Sequence, residues 1–230
     1  MAKIITAKEA AMLIKSDSTV VVGGSSGIAV AESILSEIEN RFTYTGVPEN
    51  LWVVTTSGLG DKKSRGIIHL GHEKLVKRAL SAHYGLQPIF VKLANENKIE
   101  AYNFPQGVMS KIFREIASNH PGVLTHVGIN TYMDPRNEGG KMNDITKENL
   151  VKVVNIEDKE WLLYKSFPID AAILRGTTAD ENGNITLEHE ACTLEVLSQA
   201  QAAHNSGGIV IVEVKRIAKN AVKSTVPTST

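Results

Sequence analysis

VVVGGSSGIAVAESIL, residues 20–35, reads as a buried strand that passes through a glycine turn into a helix. The β-branched run Thr19-Val20-Val21-Val22 marks a strand covered on both faces. After the glycines, Ile28, Ala31, Ile34, Leu35 and Ile38 recur at helical spacing. Gly23-Gly24-Ser25-Ser26-Gly27 also fits G-x-S-x-G, the sharp turn that can present a nucleophilic serine. Two readings therefore stand side by side. Ser25 attacks an ester or thioester, or the glycines let a ligand or a neighbouring element approach the backbone while Ser25 or Ser26 caps the helix.

Working outward, the same alternation recurs. Thr6-Ala7-Lys8-Glu9 is a capping box that predicts a helix over about 7–16. LWVVT (51–55) reads as a strand ending in SGLG (57–60), followed by helical stretches near 73–81 and 89–97. IEAYNF (99–104) reads as a strand that ends in Pro105-Gln106-Gly107, and Val108, Ile112, Phe113 and Ile116 form the next helical stripe. A short strand over 123–129 leads into a long polar loop. Strands are expected at 151–156, 160–165, 170–175 and 209–214, with a helix over about 193–204 carrying Leu194, Leu197 and Ala200 on one face. Asn182-Gly183 is poised for a hairpin. This order predicts an α/β fold: an open, mainly parallel sheet with helices on both faces, as one domain over 1–220 with a loose tail over 221–230. In such sheets ligands bind beyond the carboxyl ends of the strands. Three strands here end in glycine loops, GGSSG, TTSGLG and FPQGV, which converge on one crevice if the strands are parallel neighbours.

Composition narrows the function. The 25 Lys plus Arg balance 25 Asp plus Glu, so nothing points to nucleic acid or to an anionic membrane surface. Cys192 is the single cysteine, which excludes an internal disulfide and a CxxC site. No apolar run is long enough to cross a bilayer, and MAKIITAKEA lacks the apolar segment of a signal peptide, so a cytoplasmic protein is expected.

Several chemistries compete for the polar residues. A serine hydrolase could draw on Asp170, His189 and His204, but GGSSG follows the first strand, with no oxyanion loop before it. G-x-G-x-x-G fails on spacing, and a Walker A lysine is missing. His69, His72 and Glu73 have a spacing that could present metal ligands on a helix, but solvated surface histidines are the commoner explanation, and no metal site is expected. His189-Glu190 lacks the second histidine of a zinc protease motif. Glu181, in Asp180-Glu181-Asn182-Gly183-Asn184, reads as a solvated turn residue.

TTSGLGDKKSRGI (55–67), the expected helix segment LVKRAL (75–80), NKIEAYNFPQGVMSKIFR (97–114), GINTYMDPRNEGGKMND (128–144), WLLYKSFPIDAAILRGTTADENGNIT (161–186) and QAQAAHNSGGIVIVEVKRI (199–217) carry a resemblance over nearly the whole chain. The chain resembles the family I CoA-transferases, and most closely the N-terminal half of single-chain acetate/propionate CoA-transferases. The resemblance implies the open α/β fold of that family's α-type domain. It also implies exchange of CoA between a short-chain acyl-CoA and a carboxylate through a glutamyl-CoA thioester. CoA and acyl-CoA would be substrates, with no metal or redox cofactor. The family's nucleophilic glutamate lies in the second half, in a Ser-Glu-Asn-Gly-type motif. Asp180 and Asn184 break that pattern around Glu181, so no catalytic nucleophile is expected in this chain. Its partner would be a β-type domain or subunit in a homo- or hetero-oligomer, the chain being either an α-subunit or a truncated single-chain enzyme. The resemblance further implies substrate contacts from Gly23, Gly24, Ser57, Gly58, Gln106, Gly107, Gly128 and Thr131. Ser25 and Ala31 replace a phenylalanine and a proline found in many two-subunit members. A remnant that only associates, without chemistry, is the alternative, and a serine thioesterase using Ser25 is the third reading.

Overall fold

The computed structural model describes residues 2–219 and 226–227. Helix α1 (Ala7–Met12) opens on the expected capping box, with Glu9 N donating to Thr6 Oγ1 and Thr6 N to Glu9 Oε2. Then come β1 (Thr19–Val22), α2 (Glu32–Thr45), β2 (Leu51–Thr55), a 3-10 turn (Ile67–Leu70), β3 (Val76–Ser81), α3 (Pro88–Asn95), β4 (Glu100–Asn103) and α4 (Gln106–Ala117). The rest is β5 (Gly122–Thr125), β6 (Val151–Ile156), β7 (Lys159–Lys165), β8 (Ala171–Asp180), β9 (Asn184–Thr186), α5 (Val196–Asn205), β10 (Ile209–Ala218) and β11 (Val226–Pro227).

Six strands lie parallel in the order β10-β8-β1-β2-β3-β4. β1 covers one edge of β8 only as far as Ile173; further along, that edge pairs antiparallel with β9, and β11 pairs with β9. A separate antiparallel sheet runs β5-β7-β6. Alternation along the parallel strands divides the interior in two. Val20, Val22, Val53, Ala79, Ala101 and Ile173 face α1, α2 and α3. Val21, Val54, Leu80, Tyr102, Ala172 and Leu174 face α4, α5 and the small sheet. Both faces of the sheet are thus covered, which is why its strands read as continuous apolar runs.

Four expectations need correction. Residues 73–81 are not helical: Val76–Ser81 is β3, hydrogen-bonded between β2 and β4. Lys77, Arg78, Ala79 and Leu80 favour helix locally, but two flanking strands supply the backbone partners and override that preference. Arg78 keeps its charge there by donating to Glu100 and Glu148, each at 2.6 Å, beneath Trp52. Second, α2 starts at Glu32, so Ile28 stays exposed, and neither Ser25 nor Ser26 caps it. Glu213 of β10 does so from 180 residues away, accepting Ser33 N at 2.9 Å and Ile34 N at 3.3 Å. Third, Leu194 precedes α5, and Leu194 and Leu197 are both exposed; Val196, Ala200 and Ala203 form the buried face. Fourth, α1 stops at Met12 and β5 at Thr125, while β8 and β10 run on to Asp180 and Ala218. The expected tail over 221–230 lies outside the described residues except for Val226–Pro227, paired with β9.

Candidate functional site

The parallel run β1-β2-β3-β4 brings four carboxyl ends to one edge. Hydrogen bonds stitch the loops there into a continuous rim. Ser26 N donates to Gly58 O, and Gly60 N to Ser26 O, each at 2.7 Å. Thr55 Oγ1 donates to Ser81 Oγ at 2.9 Å, linking β2 to β3. Asn103 Nδ2 donates to Ser81 O at 2.9 Å, linking β4 to β3. Asn103 N donates to Gly140 O at 2.8 Å, which draws the 128–143 loop to the end of β4. The convergence expected of GGSSG, TTSGLG and FPQG is therefore present, with the end of β3 as a fourth contributor.

The first glycines are required by the protein's own packing. A methyl group on Gly23 would lie 2.9 Å from Leu174 Cδ2 and 3.0 Å from Gln199 Oε1. Gly24 has φ +118°, and a methyl there would sit 2.9 Å from both Ala29 O and Leu59 Cδ1. Gln199, 2% exposed, reaches from α5 under this floor. Its Nε2 donates to Thr56 Oγ1 at 3.1 Å, while its Oε1 has no hydrogen-bond partner among the described residues. Because Gln199 sits on a distant element, far from Gly24 in the chain, no local sequence signal announces it.

Ser57 lies just past β2, and its hydroxyl makes no hydrogen bond among the described residues. Gln106 is the exposed first residue of α4, its amide equally unengaged among those residues. Ser110 and Arg114 follow it at helical spacing. Both line a groove of about 670 Å³ between α4 and α5, with Glu195, Leu194 and Leu197 opposite. Gly107 is open on its side-chain side. Gly128, at φ +103°, and Thr131 form a turn in which Thr131 Oγ1 donates to Gly128 O at 2.7 Å and accepts from Met133 N at 3.1 Å. The Thr131 hydroxyl is thus committed to shaping its own loop. Asp134 anchors that loop: its buried carboxylate takes Arg136, which holds it far below the usual carboxylate range, together with the amides of Asn130 and Arg136.

Other expectations resolve differently. Ser25 is not at a strand-to-helix elbow: Ser25 N and O both bond Ile28 in a tight turn, and no base reaches its hydroxyl among the described residues. Glu181 sits exposed beyond Asp180, eight positions past Ile173, where β8 leaves the level of β1. At about 3.3 Å per residue that is roughly 25 Å along the strand from the glycine floor. His69 and His72 are not on an α-helix and hold no metal arrangement among the described residues. His69 lies between Glu39 (2.5 Å) and Glu32 (3.0 Å), and His72 approaches Glu39 at 2.7 Å.

The residue overlooked in the sequence is His83. It stands just past β3, between the loops bearing Ser57 and Gln106, and it was hidden because β3 reads locally as helix.

The coenzyme A transferase family model matches residues 4–230. The chain is 48% identical over 224 residues to caffeate CoA-transferase of Acetobacterium woodii, covering 97% of this chain and 43% of that one. It is 42% identical over 219 residues to acetate CoA-transferase YdiF of Escherichia coli K12, covering 95% and 41%. It superposes on the structure of the acyl-CoA transferase YdiF from E. coli O157:H7, a thioester complex with CoA, with TM-score 0.95, 41% identity, and coverage of 97% of this chain and 45% of that one. The chain therefore spans less than half the length of these relatives.

Proposed function

The chain belongs to the coenzyme A transferase family, and from that premise we propose that it is the first, α-type half of an enzyme exchanging CoA between a short-chain acyl-CoA and a free carboxylate. The observation that carries this reading is the rim at the ends of β1–β4. It presents the uncommitted Ser57 hydroxyl and Gln106 amide, while Glu181 stands far along β8. The nucleophilic glutamate comes from a second, β-type half, as a domain or a subunit. It attacks the acyl-CoA carbonyl and expels CoA thiolate, leaving an acyl-glutamyl anhydride. The thiolate then attacks the glutamyl carbonyl, releasing the first carboxylate and leaving the enzyme-CoA thioester. A second carboxylate reverses both steps. CoA and the acyl-CoA are substrates, and no further cofactor is called for.

This half supplies the walls and the donors. Negative charge gathers on the attacked carbonyl oxygen, and fixed donors at that point lower the barrier more than they aid ground-state binding. Gln106 suits that role, because its amide sits on the first turn of α4, with its backbone set by Pro105. Ser57, on the next loop but one, faces the acyl group.

The test is exchange from acetyl-CoA to propionate by the chain combined with its second half. Propionyl-CoA is expected from the pair. Gln106→Ala is expected to lower kcat by about 10²-fold with KM for acetyl-CoA nearly unchanged. Absence of propionyl-CoA from the pair would overturn the reading, and an unchanged kcat would reduce Gln106 to a helix-start residue.

A further inference from the structure

We propose that His83 is a substrate-contact residue of this cleft, its imidazole donating a hydrogen bond to the carboxylate that accepts CoA. The assignment rests on the CoA-transferase reading above. His83 occupies the rim between β2 and β4, and its ring lies in a seat made by two glycines. A methyl on Gly58 would lie 2.5 Å from His83 Nδ1, and one on Gly85 would lie 2.8 Å from Nε2. Gly58 directly follows Ser57, whose carbonyl oxygen lies 3.4 Å from Ser81 Oγ, so His83 and Ser57 stand on neighbouring loops of the same rim.

The backbone beneath the ring is fixed on both sides. His83 N donates to Ser81 Oγ at 3.3 Å, and Ser81 Oγ lies 3.2 Å from His83 O. Ser81 is itself buried and receives the Thr55 hydroxyl. The neighbouring Tyr84 phenol is buried and donates to Tyr102 O at 2.9 Å. Yet His83 is exposed, and its imidazole has no hydrogen-bond partner among the described residues. A seated ring on a rigid backbone, with its nitrogens unengaged, is a preorganised donor. The chemistry needs one there. The accepting carboxylate arrives as an anion and loses water on entering the cleft, so a protein N–H must replace what it leaves.

The experiment is two-substrate kinetics on the complete two-half enzyme, varying acetyl-CoA and propionate separately. His83→Phe keeps a ring in the seat and removes both nitrogens. It is expected to raise KM for propionate about tenfold, with KM for acetyl-CoA changed by less than about twofold and the thermal midpoint unmoved. His83→Gln, which restores a donor, is expected to recover part of the loss. Unchanged KM values would overturn the assignment. So would equal rises in both KM values with a lowered midpoint, which would make the ring structural. A wild-type enzyme that exchanges CoA isolates those failures to His83. One that does not exchange CoA removes the transferase reading, and the His83 assignment with it.

Discussion

Glu213 shows how much one side chain can organise. Its carboxylate accepts the second and third amides of α2 and pairs with Arg175 at 2.7 Å. α2 therefore starts four residues later than its apolar spacing implies, after the 23–31 turn has closed on Gly58 and Gly60. Glu213→Ala is expected to lower stability by about 1–2 kcal/mol, read as a drop in the urea midpoint, with Glu213→Gln retaining part of the cap. An unchanged midpoint in the alanine variant would show that α2 does not depend on this cap. None of this was legible locally, because cap and helix start are 180 residues apart. The glycines were legible, but for a different reason from the one their motif suggests. Gly23 and Gly24 leave room for Leu174, Gln199, Ala29 and Leu59, which build the floor that a ligand would meet.

At the scale of elements, the strands that read most clearly were those buried on both faces, such as TVVV and LWVVT. Their β-branched residues satisfy local preference and burial together. β3 failed because these demands diverge in it: good helix formers occupy a place that only strand pairing defines. A helix in place of β3 leaves one loop out of the rim, and His83 with it. The turn after β2 is held by a second feature that spacing misrepresented. Glu32 accepts Gly66 N at 2.9 Å and also contacts His69, which bridges to Glu39. Burial opposes charge on both His69 and Glu39, but their mutual hydrogen bonds and attraction outweigh it. The His69 pKa is raised and the Glu39 pKa lowered. Stability from His69 is complete below its unfolded value of 6.5 and is lost as pH rises through the higher folded value. Stability from Glu39 is complete above 4.5 and is lost as pH falls through the lower folded value. The cluster is thus strongest between these limits. His69→Gln is expected to lower the urea midpoint more at about pH 5.5 than at about pH 9. A pH-independent loss would mean that packing, not charge, is what His69 contributes.

For the whole molecule, the sheet order explains the division of labour. Parallel β1–β4 bring polar loops to one edge, helices and the small sheet close both faces, and Glu181 lies beyond the far end of β8. The fold and the position of the crevice were readable from alternation and glycine punctuation. The expectation that Glu181 is not the nucleophile comes only through the family resemblance, because ADENGN supplies a local imitation of the expected motif. The transferase reading turns on where CoA becomes covalently attached. The direct measurement is to incubate the complete enzyme with acetyl-CoA, digest it under acidic conditions, and map by mass spectrometry the peptide carrying CoA less one water. That peptide is expected to come from the second half, with residues 2–219 unmodified. CoA attached to Glu181, or to any other residue of this chain, would contradict the reading.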